Sequence, residues 1–154
     1  MSDETAFSGG CLCGQARYQA AGAPLISLLC HCRMRQRASG APVTAVQFMP
    51  ADRLHQLSGR LRTLPFSDGT WREVCDACGG PLFLRRKTRP DIVALYVGSL
   101  DEPDRFRPQM HVCVSSALAW LDIRDDTPRY AEKPEGMSPT LQYDPVSGVA
   151  TRRA

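Results

Sequence analysis

The chain has 154 residues, of which 43% are hydrophobic, and both values are typical of one globular domain with a sizeable core. Its formal charge of +3 comes from 19 basic and 16 acidic residues mixed along the sequence, a balance too small to favour nucleic acid as a partner. Because no stretch approaches the roughly 20 apolar residues of a membrane span, and the acidic first residues lack the apolar segment of a secretion signal, we expect a soluble cytoplasmic protein without a membrane partner.

The hydrophobic pattern predicts short strands separated by turns. Alternating residues predict strands in GQARYQA (14–20) and APVTAVQF (41–48), and a nearly continuous apolar run predicts another in DIVALYVGSL (91–100). Short helical turns are expected near 33–37 and 50–54. Small, polar or Gly/Pro-containing clusters punctuate the first half of the chain. This arrangement favours a mostly antiparallel β domain.

The sequence changes character near its C-terminal end. From Pro134 onward it is polar and rich in Pro and Gly, without a periodic apolar face. We therefore expect a folded domain over 1–133 and a tail or arm over 134–154, although the tail could also pack as an extended strand.

Six of the seven cysteines occur as close pairs, and in a chain without a secretion signal such pairs favour metal over disulfides. A four-thiolate zinc site needs two close pairs of ligands, with each sulfur about 2.3 Å from the metal. Cys75 and Cys78 enclose two residues and precede a glycine, whereas Cys11 and Cys13 enclose one residue, which places both side chains on the same side of an extended chain. The alternative is that these cysteines are buried small hydrophobic residues. The spacing predicts one zinc ion bound by all four.

Six stretches of the sequence are informative together: GGCLCGQARY, CHC, CDACGGPLFLR, VGSLDEPDRFRP, HVCVSSALAWLDI and DDTPRY, in that order between Gly9 and Tyr130. They resemble the glutathione-dependent formaldehyde-activating enzyme family, which also includes centromere protein V domains. The resemblance implies a mainly β fold, a β-tent of twisted antiparallel sheets organised around a structural zinc. It assigns that zinc to the four cysteines already predicted from spacing.

The resemblance also implies a second, catalytic zinc that activates glutathione for addition to formaldehyde. A C-H-C-x-x-C pattern usually holds this zinc, and here the pattern supplies Cys30 and Cys32 while Arg35 replaces the third cysteine. A guanidinium stays protonated and offers only donors, so Arg35 cannot bind the metal. We therefore expect a weakened or absent second zinc, with Cys30 and Cys32 as the candidate catalytic residues.

Three alternatives are open for this segment. Another group could complete the metal site, but the side chain of His31 would face away from both cysteines in an extended chain. The metal could bind only together with a substrate thiol. Without metal, Arg33 or Arg35 could pair with a cysteine thiolate and lower its pKa. The arginines after Cys32 could also hold the carboxylates of an acidic thiol, or lie in a solvated turn.

Other residues with reactive or aromatic side chains receive structural interpretations. His111 is expected to be a half-buried strand histidine, and Cys113 is expected to fill the core on the same strand face. Trp71 and Trp120 could wall a cleft, but they are expected in the core, where large aromatic side chains are common.

Two functions are consistent with these observations. The first is a zinc-binding carbon-sulfur lyase that acts on glutathione or a similar small thiol and on formaldehyde or another small aldehyde. The alternative is a noncatalytic, zinc-stabilised module that binds a thiol or a protein partner. The sequence does not determine the oligomeric state.

Overall fold

The computed structural model describes residues 6–67, 69–134, 141–144 and 149–152. Within these residues the chain forms twelve strands and one short α-helix. The strands are β1 Phe7–Gly10, β2 Arg17–Ala20, β3 Ile26–Cys30, β4 Thr44–Pro50, β5 Leu54–Ser58, β6 Leu61–Ser67, β7 Thr70–Cys75, β8 Pro81–Arg86, β9 Ile92–Tyr96, β10 Met110–Val112, β11 Leu141–Asp144 and β12 Val149–Arg152; the helix is α1 Arg33–Ser39. None of the described helices is long and apolar enough to cross a membrane.

The strands form one large sheet and two small ones. The large sheet has the order β10-β3-β4-β9-β8-β7-β6, and one small sheet has the order β1-β2-β5. Strands β11 and β12 pair with each other. Neighbouring strands are antiparallel apart from β10 and β3, which are parallel. The predicted class, a mainly β fold with the antiparallel sheets of a β-tent, is confirmed. The parallel pair of β10 and β3 was not predicted.

The predicted local elements are confirmed with small shifts in their ends. Strands β2 and β9 lie inside their predicted stretches, and β4 begins inside its stretch and extends two residues beyond it, to Pro50. Helix α1 covers 33–39, and a 3-10 turn covers 51–53. The apolar run 91–100 is a strand only as far as Tyr96, because Val97–Ser99 forms a 3-10 turn. The Ser99 hydroxyl donates to the Tyr96 carbonyl at 2.7 Å, which stabilises this turn.

Two hydrophobic cores lie on opposite faces of the large sheet. Alternation along β9 sends Val93 and Leu95 into the first core and Ala94 and Tyr96 into the second. The first core also contains Tyr18 and other residues of the small β1-β2-β5 sheet. Because β9 is buried on both faces, its sequence is continuously apolar rather than alternating.

Helix α1 begins directly after the Cys30–Cys32 segment. The Cys32 sulfur caps the helix by accepting from the Arg35 backbone N–H at 3.4 Å. The helix ends at Ser39, and Gly40 follows in a left-handed conformation with φ 72°. Arg35 and Gln36 are the buried residues of α1. The helix therefore brings one charged side chain into the protein interior beside Cys32.

The segment after β10 returns to the edge of the large sheet. The His111 N–H donates to the Pro128 carbonyl at 2.8 Å, and the Tyr130 N–H donates to the His111 carbonyl at 3.0 Å. The Cys113 N–H donates further along to the Glu132 carbonyl at 3.3 Å. The chain up to residue 132 thus extends the sheet. Most of the expected tail over 134–154 lies outside the described residues, so the boundary between 133 and 134 stays a prediction.

Candidate functional site

Four cysteine sulfurs meet where the β1–β2 connection approaches the end of β7. The Sγ atoms of Cys11, Cys13, Cys75 and Cys78 all lie within 4.8 Å of one another. The Cys11 and Cys13 sulfurs are 3.5 Å apart, and the Cys13 and Cys75 sulfurs are 3.8 Å apart. A tetrahedral ion with bonds of about 2.3 Å requires sulfurs about 3.8 Å apart, so this cluster fits a metal ion.

The turn after β7 directs two of these sulfurs toward the cluster. The Gly79 N–H donates to the Cys75 carbonyl at 2.8 Å, and Gly79 has a positive φ of 75°, which a residue with a Cβ rarely adopts. The Gly80 N–H lies 3.4 Å from the Cys78 sulfur. A Cβ at Gly80 would lie 3.4 Å from both the Cys78 sulfur and the Cys11 Cβ. The two glycines therefore let the backbone turn close to the sulfurs.

The first cysteine of the cluster is poised to ionise. Burial opposes ionisation of Cys11, but the Ala16 N–H at 3.3 Å and the neighbouring thiols outweigh it and lower the pKa of Cys11 to about 6. A metal ion binds the thiolate rather than the thiol, so this shift favours ligation.

The second cysteine pair lies in the second core, away from this cluster. Cys30 is buried at the end of β3, and Cys32 is half-buried at the start of α1. The hydrogen bond between their sulfurs, together with burial, raises the pKa of Cys30. The same hydrogen bond, the Arg35 N–H and the Arg35 charge outweigh burial and lower the pKa of Cys32 to about 5. The pair therefore favours one thiol, Cys30, beside one thiolate, Cys32.

Cys30 and Cys32 do not belong to a compact group of three metal ligands within the described part of the chain, although the Cys113 thiol is hydrogen-bonded to Cys30. The described His, Cys, Asp and Glu side chains contain one compact group of three or more, the cluster of Cys11, Cys13, Cys75 and Cys78. His31 faces away from its two cysteine neighbours, and its Nε2 lies 2.9 Å from the Nδ1 of His111. Arg35 stands at the third position of the pattern and is only 5% exposed.

A comparison with known families identifies the chain. A profile described as glutathione-dependent formaldehyde-activating enzyme matches residues 6–116. The protein belongs to this family. A crystal structure of a Rhodobacter sphaeroides protein is similar, with a TM-score of 0.48 and 19% identity over 79% of this chain and 98% of that chain. No curated protein matches the sequence.

This member of the formaldehyde-activating family also contains a buried chain of hydrogen bonds that the sequence did not predict. The Asp125 carboxylate lies 2.8 Å from His111 Nε2, and His111 Nδ1 lies 2.9 Å from His31 Nε2. With both imidazoles neutral, His111 donates to Asp125 and His31 donates to His111, which leaves His31 Nδ1 as an acceptor. Burial, followed by the charges of His111 and Arg129, lowers the pKa of His31. His31 Nδ1 is buried and has no partner among the described residues.

The position of His111 corrects the expectation of a half-buried histidine, since it is 1% exposed. The expectation that Cys113 fills the core is confirmed, because it is 7% exposed and packs in the second core. Trp120 was expected in the core and is instead 72% exposed. It lines a surface groove with Arg33 and Arg37, next to α1.

Replacing Asp125 with asparagine is expected to lower the free energy of unfolding by about 1–3 kcal/mol at pH 7, since hydrogen bonds to a charged group are lost. Burial opposes ionisation, but bonds from Thr127 and His111 outweigh it and hold the pKa of Asp125 below its usual range. Such a carboxylate contributes stability above its unfolded pKa of about 3.9, and the contribution is lost as the pH falls toward the folded pKa.

Urea unfolding of both proteins from pH 7 to pH 3 measures this effect of Asp125. The difference in stability between the wild type and Asp125→Asn should be constant above about pH 5 and should shrink below about pH 4. Asp122→Asn is the matched control, since Asp122 pairs with the exposed Arg124 on the surface. A difference between wild type and Asp125→Asn that does not change with pH would contradict the role of the Asp125 charge.

Proposed function

We propose that this protein is a zinc-stabilised carbon-sulfur lyase that joins a small thiol such as glutathione to a small aldehyde such as formaldehyde. The supporting observation is the pair of Cys30 and Cys32 in a chain of the formaldehyde-activating family, in which the pKa of the buried Cys30 is raised and the pKa of the half-buried Cys32 is lowered. In this proposal Cys30 and Cys32 are the catalytic residues. The cytoplasmic location and the division at residue 133 stay predictions.

The cofactor that we propose is a single structural Zn²⁺ held by the four-cysteine cluster. Thiolate ligands in a tetrahedral arrangement favour zinc over hard cations, which prefer oxygen. The cluster contains no other type of ligand atom and leaves no open position for a substrate. We therefore assign it to structure rather than to catalysis.

The chemistry that we propose at the second pair requires one proton to move twice. The Cys32 thiolate accepts the proton of the substrate thiol, and the resulting substrate thiolate attacks the aldehyde carbon. A carbon-sulfur bond forms while the C=O π electrons move to oxygen, and the oxygen then takes the proton from Cys32. The product is an S-(hydroxyalkyl) thioether, and Cys32 returns to its thiolate form.

The second zinc of the family is weakened in this chain, in our interpretation, because Cys30 and Cys32 are only two of the three cysteines in the pattern that holds it. A catalytic zinc typically has three protein ligands. Arg35 supplies a permanent positive charge where the third thiolate would stand, and a cation repels a metal ion rather than binding it.

Metal analysis together with turnover tests the proposed function. Emission spectroscopy of the purified protein should find one zinc per chain. The rate of S-(hydroxymethyl)glutathione formation should exceed the uncatalysed rate of condensation. NMR exchange spectroscopy measures both rates. A rate equal to the uncatalysed one would contradict the lyase activity.

Arg35→Cys should restore a third ligand and raise the zinc content from one to two per chain. Arg37→Cys is the matched control, because Arg37 lies on the same helix but is exposed. If Arg35→Cys still binds one zinc, the missing cysteine is not the reason for the weakened second site.

The alternative function is a noncatalytic module that binds a thiol or a protein partner. The observation that favours it is the burial of Arg35 beside Cys32. Arg35 stands where the family has a metal ligand, and its side chain has no acid-base function. The module would retain binding of glutathione in calorimetry but would show no turnover.

A further inference from the structure

Two arginines have buried N–H groups without an acceptor among the residues that the structure describes. Arg35 is 5% exposed, and its Nη1 is buried without a hydrogen-bond partner among the described residues. Arg72 is half-buried, and its Nε has no partner in the same part of the chain. Buried guanidinium donors are normally satisfied, so two such atoms on neighbouring elements are informative.

The two side chains extend into the same space between α1 and the large sheet. The Arg35 guanidinium, which comes from α1, lies 5.7 Å above the Phe66 ring of β6. Arg72 pairs with Leu64 in the register of β6 and β7, and its Nη1 reaches back to α1 by donating to the Ala38 carbonyl at 2.9 Å. Arg72 of β7 thus contacts α1, and Arg35 of α1 contacts β6, the strand paired with β7.

A third element, β9, faces both of these positive charges. Burial raises the pKa of the Tyr96 hydroxyl, and the charges of Arg35 and Arg72 oppose this shift. The Cys30 and Cys32 sulfurs act on the same hydroxyl. The charges of the two guanidinium groups and of the two sulfurs therefore all act on the Tyr96 hydroxyl, a side chain of the second core.

The charges at this place do not balance. Neither Arg35 nor Arg72 forms an ion pair with a carboxylate of the described residues. Both guanidinium groups are permanently charged, so two cations lack a carboxylate partner in the described part of the chain. A buried cation without a counter-charge is unfavourable, and a bound anion with two oxygens would satisfy the unpartnered Nη1 and Nε donors.

We propose that Arg35 and Arg72 bind a carboxylate group of the substrate, and that this protein therefore prefers an oxo acid to formaldehyde as its aldehyde. This inference rests on the proposed lyase function. The Arg35 guanidinium charge acts on both the Cys30 and the Cys32 sulfurs, which places an anion held by this guanidinium in the same region as the reacting atoms. In a 2-oxo acid the carboxylate is one bond from the carbonyl carbon, whereas the carboxylates of glutathione are several bonds from its sulfur.

The reaction is unchanged by this assignment. The substrate thiolate adds to the aldehyde carbon of the oxo acid, the C=O π electrons move to oxygen, and the proton held by Cys32 neutralises that oxygen. The carboxylate takes no part in bond making and serves to hold the carbonyl carbon beside the sulfurs.

Calorimetric titration with glycolate, the unreactive alcohol related to glyoxylate, tests the binding site without turnover. Wild type should bind glycolate, and glycolamide, its neutral analogue, should bind at least tenfold more weakly. Arg72→Gln and Arg35→Met should each weaken glycolate binding by tenfold or more. Arg37→Gln, an exposed arginine of α1, should leave it unchanged. If Arg35→Met does not fold, Arg72→Gln alone decides the result.

Turnover with cysteamine, a thiol that has no carboxylate, distinguishes the two possible sources of the anion. The ratio of kcat/KM for glyoxylate to that for formaldehyde should exceed ten in wild type and approach one in Arg72→Gln. If Arg72→Gln instead slows glutathione but not cysteamine, the carboxylate belongs to the thiol and the oxo-acid assignment is wrong.

The outcomes separate this inference from the proposed function. Absence of glycolate binding, or binding that neither variant weakens, overturns the carboxylate site even if the protein turns over formaldehyde. Glycolate binding that both variants weaken supports the site even if no aldehyde is turned over, in which case the lyase function fails alone.

Discussion

Replacing Cys75 with serine is expected to release the metal and to lower the free energy of unfolding by about 4 kcal/mol or more, because bound zinc contributes on the order of 10–16 kcal/mol to small zinc domains. Cys75 is only 2% exposed and lies within 3.8 Å of the Cys13 sulfur. A serine hydroxyl is a far weaker ligand than a thiolate, so three sulfurs would remain for a metal that needs four ligands.

Urea unfolding and metal analysis of the same samples measure both effects of Cys75→Ser. Cys113→Ala is the matched control, since Cys113 is also a buried cysteine but lies in the second core. It should lose some stability while retaining one zinc per chain. A Cys75→Ser protein with unchanged metal content and unchanged stability would show that the four sulfurs do not hold a structural metal.

Replacing Cys32 with serine is expected to lower kcat/KM for the thiol and aldehyde by about 10²- to 10⁴-fold, which is the range of a general acid-base contribution. The lowered pKa of Cys32 makes it a thiolate at neutral pH, whereas a serine hydroxyl stays protonated. Serine is a favourable N-cap, so its oxygen should replace the sulfur that accepts from the Arg35 N–H. The substitution therefore removes the thiolate and preserves the start of α1.

Steady-state rates and thermal unfolding together check the role of Cys32. The Tm of Cys32→Ser should stay close to that of wild type, because the cap is retained. Met110→Leu is the matched control for loss of a sulfur in the second core, and its kcat/KM should fall far less. If Cys32→Ser retained the kcat/KM of the wild type, Cys32 would be excluded as the proton acceptor.

The four-cysteine cluster was predictable because a zinc site imposes a spacing of its ligands that can be recognised in the sequence alone. A four-thiolate site needs two close pairs of cysteines, and the pairs that begin at Cys11 and Cys75 have this spacing. They can be recognised without knowing how the chain folds between them. Strand periodicity worked for the same reason, since β2, β4 and β9 each show a local pattern. The family match over residues 6–116 agrees with both.

The contacts of Arg72, His111 and Asp125 were not predictable because no local rule relates them. His31 and His111 are 80 positions apart, and they meet only because β10 joins β3 in parallel after a long connection. Arg72 reaches Ala38 across 34 positions through packing of α1 against the sheet. The stretches HVCVSS and DDTPRY contributed to the resemblance to the family. They did not indicate that His111 and Asp125 would be hydrogen-bonded to each other.

The four-cysteine cluster has a consequence for how the molecule unfolds. Cys13 and Cys75 are 62 positions apart, and Cys13 belongs to the connection within the small β1-β2-β5 sheet while Cys75 ends a strand of the large sheet. An ion bound there acts as a cross-link between the two sheets. With the ion in place they should melt in one cooperative transition, whereas the demetallated chain should lose the small sheet first.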